Sequence, residues 1–240
     1  MYRKIYQTWQ KIGIKYFWGD FFDSRFYIAY LISKKKTDVI LDIGCGAGVL
    51  LHFAHSTLKI GIDVSLESLK AAKNNGFKME LIQADVRNLP LRDKYFTNIL
   101  AVQIISQFDM IEERSKICNE IKRVAAKHSE ILIAGPNKKS RHVIKKHDEL
   151  LESSYTHYTE IVKYFDSDFH VKAEGYGPFS KIIMYPLKII YKIPDKIIET
   201  LMIERLLHML LRSKRFLKDG RSYIIICKRC EEDTKNAVMH

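Results

Sequence analysis

The sequence predicts an α/β protein: a doubly wound, mostly parallel seven-stranded sheet with helices on both faces. Three observations carry this expectation. Short, β-branched apolar runs alternate with stretches of helical periodicity, which is the pattern of strands buried on both sides and linked by crossover helices. The first three of those runs end on or beside an aspartate, Asp42, Asp63 and Asp85. The first run also opens directly into a glycine cluster, Gly44-Cys45-Gly46-Ala47-Gly48, where a strand must turn sharply into a helix.

Residues 1–36 place aromatic and aliphatic side chains at helical spacing (Tyr6, Trp9, Ile12, Tyr16, then Phe22, Phe26, Tyr30), so one or two leading helices are expected, forming a lid ahead of the main domain at 37–240. The first strand is expected over 38–43, followed by a helix over 47–55. The second strand is expected over 59–64. It is followed by Ser65, a good helix N-cap, and by a helix over 66–74 that Gly76 terminates. Strands over 79–86 and 96–102 flank a connection containing Pro90. Ile117, Ile121, Val124 and Ala125 fall on one face of a helix over 112–127, ahead of a fifth strand over 130–134 that Gly135-Pro136 ends. A helix over 159–165, a strand over 170–174 and a terminal strand over 221–228 complete the domain. A basic, apolar helical insertion at about 178–218 precedes the last strand.

The 40 Lys and Arg against 28 Asp and Glu leave a formal net charge of +12, which suits an anionic partner or a solvated lysine-rich surface equally well. Four cysteines make no disulfide framework in 240 residues, and no charged-then-apolar leader opens the chain, so a cytoplasmic protein is expected. No stretch reaches the roughly 18 uncharged apolar residues that span a bilayer. Cys227 and Cys230 form a single C-x-x-C with no second pair or histidine at ligand spacing, so they read as structural and no metal is expected.

The segment Asp42-Ile43-Gly44-Cys45-Gly46-Ala47-Gly48 brings main chain close to a ligand. A dinucleotide fingerprint would place its third glycine at position 49, which is Val49. That spacing argues against a nicotinamide-dependent oxidoreductase.

On these residues the chain resembles the class I, Rossmann-like S-adenosylmethionine-dependent methyltransferases, in particular the group of small methyltransferase domains that includes enzymes acting on quinones and other small molecules. The resemblance spans roughly residues 38–171 and implies S-adenosyl-L-methionine as the cofactor. It assigns Asp42, Gly44 and Gly46 to the methionine part and Asp63, 21 residues after Asp42, to the ribose hydroxyls. A carboxylate suits a vicinal diol because it offers two coplanar acceptor oxygens. Ala84-Asp85-Val86 followed by Asn88-Leu89-Pro90-Leu91 is similar to the family's A-D-x-x-x-L-P stretch, which makes Asp85 the adenine contact. Val64 and Val86 are either walls for the adenine ring or ordinary core. Gln103, at the tip of the fourth strand, either lines the pocket or packs its loop, and Asn137 either meets the acceptor or caps a turn. Two positions depart from the family pattern: Thr97 stands where an aspartate is frequent, and Gln107 where a histidine is.

Methyl transfer from a sulfonium needs in-line approach in a dry site more than a strong acid or base. For a hydroxyl acceptor a base would help, and the candidates are His142, His147, His157 and Tyr158. In the insertion, a helical wheel over 197–212 gathers Glu204, Arg205, His208 and Arg212 into one polar stripe and leaves a wide apolar remainder, including Ile198, Met202, Leu206 and Leu210. That surplus suits the protein's own sheet, a second subunit in a homodimer, or peripheral contact with an anionic membrane. The expected acceptor is a small-molecule or lipid-like compound. Nucleic acid is disfavoured because the basic residues are scattered among aliphatic ones. The reading from another class is a catalytically silent cofactor-binding subunit that recruits a partner through residues 182–211.

Overall fold

The computed structural model describes residues 24–137, 158–176, 212–213 and 222–230. Eight strands form one sheet: β1 (Lys36–Ile43), β2 (His55–Asp63), β3 (Glu80–Gln83), β4 (Phe96–Val102), β5 (Ala125–Pro136), β6 (Phe169–Tyr176), β7 (Arg212–Ser213) and β8 (Ser222–Arg229). Their spatial order is β3-β2-β1-β4-β5-β8-β6-β7. The first five are mutually parallel, and β8 runs antiparallel between β5 and β6. The expected seven-stranded, mostly parallel sheet is therefore present, with the two-residue β7 added at one edge.

Two-sided burial explains why the central strands read as unbroken apolar runs. Ile40, Leu100, Leu132 and Ile224 pack on one face with α1 (Ser24–Ser33) and α2 (Val49–Phe53). Leu41, Ile99, Ile131 and Ile225, each the immediate neighbour of one of these in its strand, pack on the other face with α4 (Ile111–Val124) and α5 (Tyr158–Phe165). The helix α3 (Leu66–Asn74) starts at Ser65, whose hydroxyl accepts from the Ser68 amide at 3.2 Å. This is the expected cap, and an N-cap of this kind contributes about 1 kcal/mol.

Several boundaries differ from the sequence expectation. The helix expected to reach residue 55 ends at Phe53, and β2 begins at His55 rather than near Lys59, because its polar first half pairs with β1 from Lys36↔His55 onward. The helix expected through residue 127 stops at Val124, and Ala125 already pairs with Phe96, so β5 is 12 residues long. In both places backbone pairing to an existing strand wins over local helical periodicity. Arg212, the last residue of the expected insertion helix, instead lies in β7 opposite Tyr176. The rest of the insertion and the aromatic stretch through Phe22 lie outside the described residues. Within the leading segment, α1 buries Ile28 and Ala29 completely in the sheet's own core.

Candidate functional site

The strand order reverses direction between β1 and β4, and ligands of such sheets bind in the crevice at the carboxyl ends of the strands flanking that point. The register brings the expected residues to this edge. Asp42 sits opposite Gly61 of β2 and Leu100 of β4, Asp63 opposite Gln83, and the Ala84 amide donates to the Asp63 carbonyl at 3.2 Å. Asp42, Asp63, Asp85 and Gln103 thus stand at the ends of four adjacent strands.

The glycine turn is fixed by main-chain bonds to β2. Gly44 and Cys45 amides both donate to the Ile62 carbonyl, at 2.8 and 2.9 Å. Gly44 has φ 75°, and a Cβ there would lie 2.9 Å from Ile104 Cδ1, so the site needs glycine for both conformation and space. Gly46 has φ 52°, with nothing within 4 Å of its Cβ position. That open space lies where the resemblance puts the cofactor. Gly61 was not anticipated: a Cβ on it would meet Cys45 Sγ at 2.8 Å, so this bare position in β2 is what lets Cys45 tuck under the turn.

Asp63 organises the turn. Its Oδ2 accepts from the Gly46 amide at 2.8 Å and its Oδ1 from the Ser65 amide at 2.9 Å. One carboxylate therefore ties the glycine turn to the start of α3 while retaining further acceptor lone pairs. Asp42 is buried, 2% exposed, and burial together with the nearby Asp63 carboxylate raises its pKa to about 8. The same burial and the two acids push the Cys45 thiol up, so it stays protonated and serves as a small spacer.

The raised Asp42 pKa predicts a pH effect. The folded chain favours the neutral acid, so this contribution to stability is complete below the ordinary carboxyl pKa near 3.8 and is lost as pH rises toward about 8. The ligand-free protein should show a urea midpoint that falls across that window, and Asp42→Asn should remove this part of the slope. An identical slope in the variant would mean that Asp42 is ionised throughout.

Asp85 accepts from Arg87 through Nε at 3.0 Å, Nη2 at 2.6 Å and the main-chain amide at 2.8 Å, and these bonds hold its carboxyl below the usual range. Val64 is 68% exposed beside Asp63, whereas Val86 is 5% exposed and packs in the core. Gln103 has φ 58°, uncommon for a residue other than glycine, and such strain is typical of functional turns. Its amide donates to the Ala134 carbonyl at 2.7 Å, and its carbonyl accepts from Gln107 Nε2 at 2.9 Å. Gln107, standing where the family often has histidine, therefore braces this turn. Thr97 donates to the Val39 carbonyl at 3.0 Å and ties β4 to β1. Asn137 is fully buried at the end of β5. Tyr158 opens α5 and packs against the core, while His142, His147 and His157 lie outside the described residues. No metal-binding cluster occurs among the described residues, and Cys227 and Cys230 are free thiols.

Two arginines escaped the sequence reading. Arg87 lies within the Ala84–Pro90 stretch and binds its aspartate. Arg114 is 6% exposed, with Nε on Glu160 Oε1 at 2.8 Å and Nη1 on the Phe108 and Asp109 carbonyls at 2.7 and 2.8 Å. A signal for the second was present: Arg114 lies at helical spacing with Ile117, Cys118 and Ile121, on the buried face of α4.

Comparison with known proteins agrees with this geometry. The probable tRNA methyltransferase 9B of Mus musculus is 31% identical over 104 residues, 43% of this chain and 23% of that protein. Norajmaline N-methyltransferase of Rauvolfia serpentina is 33% identical over 118 residues, 45% of this chain and 39% of that enzyme. The chain thus spans well under half the length of these relatives. The crystal structure of a SAM-dependent methyltransferase from Archaeoglobus fulgidus superimposes with a TM-score of 0.59 at 20% identity, covering 88% of this chain and 97% of that one. The family model described as a methyltransferase domain matches residues 34–183. The chain therefore belongs to the methyltransferase-domain family and carries the fold of the S-adenosylmethionine-dependent methyltransferases.

Proposed function

We propose that the protein transfers the methyl group of S-adenosylmethionine to a small-molecule or lipid-like acceptor held at the carboxyl edge of the sheet. The observation that carries the cofactor half of this reading is the Asp63 carboxylate, which gathers the Gly46 and Ser65 amides while standing in one row with Asp42 and Asp85. Asp42, Gly44 and Gly46 hold the methionine part and Asp63 the ribose. Asp85 takes the adenine amino group, with the exposed Val64 beside the ring, while Val86 stays in the core under the loop. Gln103 lines the reacting side. The cofactor supplies an electrophilic methyl group on a sulfonium. The chain's own residues orient it and exclude water, so the acceptor needs an aligned lone pair more than a strong base.

The acceptor half rests on the segment after β4. Met110 and Ile111 are 60% and 59% exposed at the start of α4, an apolar pair beside the turn where acceptor and methyl donor meet. Asn137, fully buried at the end of the neighbouring strand, shapes the floor beside it and does not reach an acceptor. His142, His147 and His157 remain the candidate bases for a hydroxyl acceptor, and residues 182–211 the candidate contact for a membrane or a second subunit. No helix among the described residues is long and apolar enough to cross a membrane.

An RNA acceptor is the second reading, favoured by the tRNA methyltransferase relatives and by the net charge of +12. The described basic cluster of Lys34, Lys35, Lys36 and His55 nevertheless lies at the amino edge of β1 and β2, opposite the glycine turn, with Lys59 midway along β2. A phosphate chain held there would sit about 25 Å, a strand's length, from the methyl donor. Incubation with radiolabelled cofactor and separate lipid, phenol and total-tRNA fractions distinguishes the readings. Label in the lipid or phenol fraction supports the first and label in tRNA the second. Cofactor binding with no labelled product would favour a catalytically silent subunit.

A further inference from the structure

We propose that Arg87 is a positioning residue that ties occupancy of the adenine subsite to the order of the acceptor-side segment 108–113. This rests on the reading of Asp85 as the adenine contact. A carboxylate has about four lone-pair sites, and Arg87 takes up to three of them with Nε, Nη2 and its own amide, leaving room for one amino group. The same guanidinium reaches the other side of the crevice. Its Nη1 donates to Glu113 Oε1 in the first turn of α4 at 2.5 Å, and its Cζ lies 5.6 Å from the centre of the Phe108 ring. One side chain thus joins the loop after β3 to both ends of the segment that carries Met110 and Ile111.

This link is separate from what holds either partner in place. The loop beyond Arg87 is clamped to α4 by Arg123, which donates to the Leu89 and Leu91 carbonyls at 2.9 and 2.7 Å, and by Glu120, which accepts from the Leu89 amide at 2.6 Å. The acceptor segment is anchored from below by Arg114 on the Phe108 and Asp109 carbonyls. Arg87, Asp85 and Glu113 are 40%, 42% and 28% exposed, and pairs this open to solvent contribute little to global stability. The Arg87 bridge is therefore free to respond to a ligand without unfolding anything. An adenine amino group on Asp85 completes the carboxylate's partners and fixes its orientation. That in turn fixes the guanidinium and, through it, Phe108 and Glu113.

Amide hydrogen exchange with and without S-adenosylhomocysteine tests this, with calorimetry used to match occupancy between variants. In the parent protein the ligand should slow exchange at residues 44–49 and also at 108–113. In Arg87→Met the first protection should persist and the second should shrink by at least about threefold, with Arg87→Lys in between. Glu113→Ala cuts the same bridge from the far side without touching Asp85, and should likewise lose the second protection while binding the ligand as the parent does. Undiminished protection of 108–113 in Arg87→Met and Glu113→Ala would overturn the proposal. A parent protein with ligand protection at 44–49 but none at 108–113 would also overturn it, leaving the cofactor reading intact. No protection at 44–49 would overturn both.

Discussion

Replacing Asp63 with alanine should weaken S-adenosylhomocysteine binding by about 10- to 150-fold, the equivalent of losing one strong hydrogen-bond acceptor worth roughly 1.5–3 kcal/mol. In the proposed pocket the carboxylate would act on the ribose as well as on the protein, where its two oxygens hold the Gly46 and Ser65 amides at 2.8 and 2.9 Å. Asp63→Asn should recover little of the loss. Whichever way the amide is turned, its NH2 faces one of those two main-chain donors, so one bond becomes a repulsion. Calorimetric titration of the three proteins checks this, and unchanged affinity in Asp63→Ala would remove the residue from the site.

Arg114→Met should be the most destabilising of these substitutions. It strands the Phe108 and Asp109 carbonyls and the Glu160 carboxylate together. Breaking a buried ion pair by removing one partner costs about 3 kcal/mol at the low end of its range, which applies because Glu160 is 28% exposed and keeps some water. For a chain of this size that corresponds to a fall in Tm of roughly 6–12 °C. Glu160→Gln should cost much less, since Arg114 keeps its two carbonyls and the amide oxygen can still accept. Thermal melts of the two variants should therefore be clearly separated. Equal, small shifts would show that Arg114 is not the anchor of the segment after β4.

The parts of the fold legible in the sequence are those that two-sided burial dictates. The buried parts of the central strands, 39–43 in β1 and 99–102 in β4, alternate between two cores residue by residue, so all but Asp42 are apolar and the strand ends could be placed within two residues. Where one strand merely extends an existing ladder, as in His55–Leu58, or irregularly bridges to it, as between Ala125 and Glu130, several side chains are polar or solvated. The information then lies in the neighbouring strand and not in the segment itself. The site divides in the same way. The placement of Asp42, Gly44, Gly46, Asp63 and Asp85 at one edge was legible because a tight strand-to-helix turn and a row of acids at strand ends restrict residue type strongly. Arg87 and Arg114 were not read, since an arginine's partners are set by tertiary placement and its charge alone suggests a solvated surface. Gly61 looked like any strand glycine until Cys45 was seen to lie over it.

The central claim is that the row formed by Asp42, Asp63 and Asp85 with the glycine turn is an S-adenosylmethionine pocket. Calorimetric titration of the whole chain with S-adenosylhomocysteine, with NAD as the control, tests it most directly. The structure predicts one site of micromolar affinity for S-adenosylhomocysteine, which Asp63→Ala weakens, and no heat with NAD. Absence of S-adenosylhomocysteine binding, or a preference for NAD, would contradict it.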